Sequence, residues 1–206
     1  WASTTSPFLA ELFDTGRDEG VFYYAMAYYP AGSLAGPAEP LDRPGILRAA
    51  AHAARAAHAL HEVGCVHRDI KPSNILLHAD GAHLSDLGLA QILTPGQTVT
   101  GLGAIGAVEY LDPLVVRGGA AGRSTDVFAL GATLHQALAG TGIYPGLTSD
   151  NPIAALRAVI ESEPEVDRRL PEPEAALIRA CLDPDPANRP ATAELLSQRI
   201  EELIPA

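Results

Sequence analysis

The chain has 206 residues, of which 47% are hydrophobic and only 5% are aromatic. This length suits one large domain, whose core must be built mainly from Ala, Leu, Ile and Val. The formal net charge of −11 argues against nucleic acid or an anionic membrane as the main partner. Cys65 and Cys181 form neither a disulfide framework nor a metal-binding spacing, so we expect two buried thiols in a reducing compartment.

Two uncharged stretches, residues 89–108 and 127–149, are long enough to be considered as membrane spans. Both contain several glycines together with Thr, Gln or Pro, which favours packing in a water-soluble core. We therefore expect no membrane contact within this chain.

The first elements read as two antiparallel strands, at residues 8–13 and 21–28, around a turn-rich connector at residues 14–20. A breaker cluster follows at residues 30–34, and further glycine and proline keep the linker irregular. An Ala-rich stretch at residues 46–63 then predicts a helix that begins near Pro44 and ends at Gly64. Its histidines, which we expect to be solvated or half-buried, are His52, His58 and His61.

After this helix, residues 67–74 read His-Arg-Asp-Ile-Lys-Pro-Ser-Asn, and twelve residues after Asn74 comes Asp86-Leu87-Gly88. The residues between them alternate around Asp80-Gly81 and predict a β-hairpin. The open end of that hairpin would place Asn74 beside Asp86. Carboxylate and amide oxygens suit Mg²⁺, which completes its shell with phosphate and water.

The second half of the chain is helical by pattern. A very apolar helix opens at residues 124–131, with Ser124 or Thr125 as its cap, and Gly140 stops it. Because this helix is apolar on nearly all sides, we expect it at the centre of the fold. Further helices are predicted at residues 152–162, 174–182 and 192–203.

The order His-Arg-Asp-x-Lys-x-x-Asn followed by Asp-x-Gly resembles the catalytic and magnesium loops of protein kinases of the serine/threonine type. The resemblance implies an α+β, kinase-like fold, with a short remnant of the N-lobe sheet and the hinge at residues 1–29. A mostly helical C-lobe would follow at residues 30–206, with the catalytic loop at 67–74 and an activation segment at 86–114.

The resemblance also implies roles for single residues. Asp69 would accept the substrate hydroxyl proton, Lys71 would steady the γ-phosphate of ATP, and Asn74 and Asp86 would hold Mg²⁺. Met26 would guard the back of the adenine pocket, and Ala27, Tyr28 and Tyr29 would form the hinge. The residues expected to support the site are His67, Arg68, Asp126 and Arg189.

The activation segment carries three candidate phosphorylation sites, Thr94, Thr98 and Thr100, and Arg68 is the cation that such a phosphate would meet. A Gly-x-Gly-x-x-Gly pattern at residues 101–106 follows the magnesium aspartate, so it is not the phosphate loop of a kinase. Two departures stand near the end of the segment. Ala107 replaces a Thr, and Leu114 replaces the Glu that would pair with Arg189, so we expect another acid, or water, to satisfy this arginine.

A complete kinase also needs a glycine loop, a strand lysine and a helix glutamate, which we expect from the rest of the gene. Of fourteen basic residues only Lys71 is a lysine, so this chain alone would be a weak catalyst or inactive. The alternatives are a non-catalytic pseudokinase-like interaction module and, further behind, a small-molecule phosphotransferase. We expect a protein substrate and ATP as partners, and a cytoplasmic location or the cytosolic part of a larger membrane-anchored protein.

Overall fold

The computed structural model describes residues 6–18, 21–86, 105–147 and 152–205. In these ranges a two-stranded ribbon and a small four-stranded sheet lie beside a group of helices. This arrangement is the α+β class that the sequence predicts.

The ribbon pairs β1 (Leu12–Asp18) with β2 (Val21–Met26) in antiparallel register, with Asp18 opposite Val21. The prediction of a strand at residues 8–13 and a connector at 14–20 is therefore wrong. Because most of β1 is exposed, its polar residues can form a strand without the cost of burial. Phe8 instead joins the second sheet, where its carbonyl accepts a hydrogen bond of 2.8 Å from the Leu84 amide.

The second sheet has the order β4-β3-β5-β6, formed by Gly36–Pro37, Gly32–Ser33, Ile75–His78 and Gly81–Leu84. Its β5–β6 pair is the hairpin that the sequence predicts, with Ile75 opposite Leu84 at the open end. The β3–β4 pair lies where an irregular linker was predicted. Gly32 permits it, because its φ of +80° brings the backbone so close that a Cβ would lie 2.3 Å from the Gly36 oxygen.

The first helix, α1, spans Arg43–Glu62 and starts earlier than predicted. It begins there because the Asp42 side chain accepts a hydrogen bond of 2.8 Å from the Gly45 amide and caps the helix. Gly64 follows its end with a φ of +78°, which agrees with the predicted stop. The alanine-rich face of α1 is buried against β6 and the later helices.

The described helices that follow are α2 (Pro113–Val116), α3 (Arg123–Ala139), α4 (Pro152–Glu161), α5 (Glu172–Cys181) and α6 (Ala193–Glu201). The sequence predicts all of them except the short α2. The central position of α3 is confirmed, since residues 125–135 are buried without interruption. Its N-cap is Gly122 rather than Ser124 or Thr125. Thr125 lies in the first turn, and its hydroxyl accepts a 3.0 Å hydrogen bond from the Gly122 amide.

The two cysteines lie in different environments. Cys181 is fully buried at the end of α5, as expected, but Cys65 is exposed in the loop after α1. Burial raises the pKa of the Cys181 thiol to about 12, so this thiol stays protonated and packs as a small apolar group.

None of the helices in the described ranges has both the length and the apolar character that crossing a bilayer requires.

Candidate active site

The loop that carries the predicted catalytic residues rests on Asp126 of α3. The Asp126 carboxylate accepts hydrogen bonds from the backbone amides of His67, at 2.8 Å, and Arg68, at 2.9 Å. Asp126 is only 1% exposed, so this anchor lies inside the fold. Arg68 has a φ of +69°, a left-handed conformation that costs about 1–3 kcal/mol when a non-glycine residue is held in it. The buried carboxylate is in position to hold it.

His61 completes this anchor from α1, because its Nε2 atom lies 2.7 Å from the same carboxylate. The histidine is 1% exposed, so the expectation of a solvated or half-buried residue is wrong for His61. The sequence does contain a signal for this burial. His61 falls at helical spacing on the same face as the buried Leu47, Ala50, Ala54 and Ala57, and a histidine on an apolar stripe needs a buried partner.

His67 joins the loop to the hairpin. Its Nε2 atom lies 2.9 Å from the Ser85 carbonyl, and its Nδ1 atom lies 3.3 Å from the Asp69 amide. A neutral ring that carries its proton on Nε2 satisfies both contacts, because the Nδ1 lone pair then accepts from the amide. Burial lowers the pKa of His67, which agrees with a neutral ring.

The structure brings Asp69, Lys71 and Asn74 together in one cluster. The Lys71 ammonium lies 3.0 and 2.9 Å from the two carboxylate oxygens of Asp69. The Asn74 amide nitrogen donates to the Asp69 carbonyl at 2.8 Å and to its carboxylate at 3.0 Å. Asn74 is buried while the Asp69 side chain is 38% exposed. A fixed amide and ammonium therefore orient a carboxylate that solvent can reach.

Asp86 stands one residue beyond the hairpin contact with Asn74. The Ser85 amide donates to the Asn74 carbonyl at 2.8 Å, and the Ser85 hydroxyl donates to the same carbonyl at 3.1 Å. Asp86 itself has a φ of +57° and accepts a short hydrogen bond from the Tyr24 hydroxyl of β2. This bond, together with burial, raises the pKa of Tyr24 to about 12. Tyr24 is a site residue that the sequence did not indicate.

The donor set of this region fits Mg²⁺. The Asn74 side-chain oxygen accepts only from the neighbouring Ser73 hydroxyl at 3.3 Å among the described residues, so it remains available to a cation. Asp86 adds a carboxylate. No cluster of three or more His, Cys, Asp or Glu side chains that could hold a metal occurs in the described ranges. Two protein oxygens match an ion that takes its other ligands from phosphate and water.

The predicted hinge follows β2 directly. Met26 ends this strand, and the Ala27 amide donates to the Glu11 carbonyl at 3.3 Å. The side chain of Tyr28 is 88% exposed, and in the described part of the chain its backbone makes no hydrogen bond. The edge of this segment therefore keeps free backbone groups.

The acid that pairs with Arg189, which the sequence did not identify, is Asp112. Both terminal nitrogens of the Arg189 guanidinium contact the carboxylate of Asp112, one in a very short contact and the other at 3.3 Å. The arginine also donates to the carbonyls of Asp183 and Ser124. Leu114 is 37% exposed and does not contact Arg189. The acid that pairs with Arg189 is therefore Asp112, two residues before the position where the kinase pattern has a Glu.

Several predicted residues lie outside the described ranges. These are the candidate phosphorylation sites Thr94, Thr98 and Thr100, together with the glycines at 101 and 103. The backbone is described again from residue 105, where a 3-10 turn (Ile105–Tyr110) leads to α2.

A cleft of about 400 Å³ opens beside Lys71. The catalytic loop, the segment after β3, the 3-10 turn and the end of α3 form its walls. Its lining residues are Leu34, Ala35, Lys71, Pro72, Ser73, Tyr110, Gln136, Ala137 and Gly140. Among the described residues of that lining, Lys71 is the one charged side chain, and Ser73, Tyr110 and Gln136 add polar groups.

The family model "Protein kinase domain" matches residues 2–200. The chain belongs to the protein kinase domain family. This membership confirms the resemblance that the catalytic-loop motif indicates.

Several bacterial serine/threonine-protein kinases are similar to this kinase domain. Over 192 residues it is 35% identical to the probable serine/threonine-protein kinase PkwA of Thermomonospora curvata. This match covers 92% of the present chain and 25% of PkwA. It is 36% identical over 167 residues to PknK of Mycobacterium tuberculosis, covering 80% of this chain and 15% of PknK. It is 30% identical over 201 residues to PrkC of Bacillus subtilis, covering 94% of this chain and 31% of PrkC. The chain thus spans a third or less of each of these relatives.

Proposed function

We propose that this kinase domain transfers the γ-phosphate of ATP to a serine or threonine hydroxyl of a protein. The observation that supports this most directly is the cluster in which Lys71 and Asn74 both lie within 3.0 Å of the Asp69 carboxylate. Phosphoryl transfer requires a positioned base, positive charge near the phosphate and oxygen ligands for a metal. This loop and the neighbouring Asp86 supply all of these groups.

Asp69 accepts the proton of the acceptor hydroxyl in this proposal. Its exposed carboxylate can reach a substrate, while the hydrogen bonds from Asn74 keep it in one orientation. The Lys71 ammonium contacts both carboxylate oxygens of Asp69. In this proposal the same ammonium neutralises charge on the γ-phosphate beside the base.

Asn74 and Asp86 would hold Mg²⁺ through one amide oxygen and one carboxylate. When bound, the ion neutralises phosphate charge and orients the group that is transferred. The chain contributes the spacing of the two ligands, which the Ser85–Asn74 hydrogen bonds fix at the open end of the hairpin. In the same proposal, Met26, Ala27 and Tyr28 bind the adenine, with the unbonded backbone of Tyr28 at its edge.

The acceptor segment of a protein substrate would lie in the cleft beside Lys71. Because the described residues that line this cleft include Ser73 and Gln136 but no carboxylate, we expect uncharged residues rather than Arg or Lys next to the acceptor hydroxyl. Serine and threonine are expected rather than tyrosine, because Lys71, two residues after Asp69, matches the catalytic loop of serine/threonine kinases.

The remaining assignments extend this proposal. We assign residues 1–29 to the strands and hinge of the smaller lobe, and residues 30–206 to the larger lobe with an activation segment at 86–114. Phosphorylation of Thr94, Thr98 or Thr100 would place negative charge near Arg68 and order that segment. The supporting role of His67, Asp126 and Arg189 is to hold the catalytic loop and the end of the segment. We propose a cytoplasmic location, either as a separate protein or as the cytosolic part of a larger membrane-anchored protein.

Phosphate transfer to protein tests this function. The natural polypeptide that contains this domain is incubated with γ-labelled ATP, Mg²⁺ and a mixture of acceptor proteins, and mass spectrometry locates the modified residues. We expect phosphoserine and phosphothreonine, with Asp69→Asn slower by about 10²–10⁴-fold, because general base catalysis is lost. Asp80→Asn, at an exposed acid in the β5–β6 turn, is the matched control and should keep the full rate. Equal rates for Asp69→Asn and the unchanged protein would contradict the proposal.

A further inference from the structure

The Tyr24 hydroxyl donates a hydrogen bond to Oδ1 of Asp86, although the two residues are 62 positions apart. Tyr24 lies on β2 of the exposed ribbon and is itself 43% exposed. Its ring therefore contributes little to the buried core, and the polar contact at its tip is its most specific interaction. The contact joins the ribbon to the carboxylate proposed to bind the metal.

Asp86 needs an external group to fix its side chain. Its φ of +57° places the backbone in the left-handed region, which an aspartate tolerates but which does not by itself set the carboxylate direction. Within the described ranges, Oδ2 of Asp86 makes no hydrogen bond or ion pair. The Tyr24 bond thus occupies one oxygen and leaves the other available to a cation.

We propose that Tyr24 is a positioning residue for the metal-binding carboxylate. By holding Oδ1 of Asp86, it directs Oδ2 toward the position that a divalent cation shares with the Asn74 amide oxygen. Carboxylates that bind metals are commonly held by such outer hydrogen bonds, and loss of one typically lowers metal affinity about 10- to 100-fold. This inference rests on the proposed function, because it assumes that Asp86 binds the ion.

The neighbouring Tyr23 provides a matched control. It lies on the same strand, is 51% exposed, and packs over Gly16, where a Cβ would come within 2.3 Å of its ring. Successive residues of a strand point to opposite faces, so Tyr23 faces away from Asp86. Tyr23→Phe and Tyr24→Phe remove the same hydroxyl from adjacent positions, and only the second removes the contact with the carboxylate.

The test measures Mn²⁺ binding by the intensity of the free-ion signal in electron paramagnetic resonance, without nucleotide or catalysis. Four proteins are compared: the unchanged chain, Tyr24→Phe, Tyr23→Phe and Asp86→Asn. Thermal unfolding of each is followed by circular dichroism. We expect Tyr24→Phe to raise the dissociation constant for Mn²⁺ at least 10-fold with an unchanged melting temperature, and Tyr23→Phe to leave both values as they are.

The other outcomes separate this inference from the proposed function. Binding that depends on Asp86 but is equal or tighter in Tyr24→Phe would overturn the role of Tyr24 and leave the metal site intact. Failure of the unchanged chain to bind Mn²⁺, or equal binding by Asp86→Asn, would contradict the metal site itself and the role of Tyr24 with it.

Discussion

Arg189 and Asp112 form a buried ion pair across 77 positions of the sequence, and each side chain is only 1% exposed. Asp112 also caps α2, because its carboxylate accepts a hydrogen bond of 2.9 Å from the Leu114 amide. One acid therefore neutralises the arginine and fixes the start of α2. This double use explains how the chain carries a leucine at position 114.

Removing Asp112 should destabilise the domain strongly. Asp112→Ala leaves the Arg189 charge buried without its counterion, for which we expect a loss of about 3–5 kcal/mol in the free energy of unfolding. Urea denaturation measures the loss. The control is Glu172→Ala, which breaks an exposed pair with Arg179 and should cost less than about 1 kcal/mol. A similar, small loss in both variants would refute the structural role of the pair.

Asp126 should control the order of the catalytic loop. Asp126→Ala leaves the amides of His67 and Arg68 and the His61 ring without their acceptor, and each unsatisfied buried group costs about 1–3 kcal/mol. We expect faster hydrogen exchange at both amides as well as lower stability. Asp42→Ala, which removes only the cap of α1, should cost about 1 kcal/mol and leave exchange at those amides unchanged. Loop protection that survives in Asp126→Ala would show that another group holds it.

Acidification should destabilise the domain through its buried and half-buried histidines. Burial lowers the pKa of His67, and likewise of His52, His83 and His135. The unfolded chain, in which histidine titrates near pH 6.5, therefore binds protons first as the pH falls. The free energy of unfolding is then highest above about pH 6.5 and decreases below it.

Urea unfolding between pH 5 and 7.5 measures this dependence. His67→Gln removes one titrating group, so its slope below pH 6.5 should be shallower by up to about 1.4 kcal/mol per pH unit. The comparison uses the two slopes, which are independent of any constant loss of stability in the variant. Identical slopes would mean that His67 binds its proton equally well in the folded and unfolded chain, which would contradict the lowered pKa.

Much of this fold could be predicted from local sequence patterns. The β5–β6 hairpin and the central helix α3 were predicted because alternation, an Asp-Gly turn and an all-round apolar helix are local signals. The predicted position of the first ribbon strand was wrong, also because of a local signal. The polar residues of β1 resemble a turn, and only pairing with β2 makes them a strand.

The partners at the site were harder to predict, because they depend on tertiary structure. Asp112, His61 and Tyr24 each contact a residue more than sixty positions away. The motif identifies Arg189, Asp126 and Asp86 but does not name the side chains that complete them. The burial of His61 could be predicted, because this residue lies on the apolar face of α1. The contact of Tyr24 could not, because nothing in the local sequence distinguishes it from other exposed strand residues.

Binding of ATP, measured by calorimetry with and without Mg²⁺, tests most directly whether Asp86 makes this domain a metal-dependent nucleotide site. The account predicts binding that requires Mg²⁺ and is weakened at least 10-fold in Asp86→Asn, because a coordinating carboxylate is lost, while Asp80→Asn binds normally. Absence of binding, or binding that neither Mg²⁺ nor Asp86→Asn alters, would contradict it.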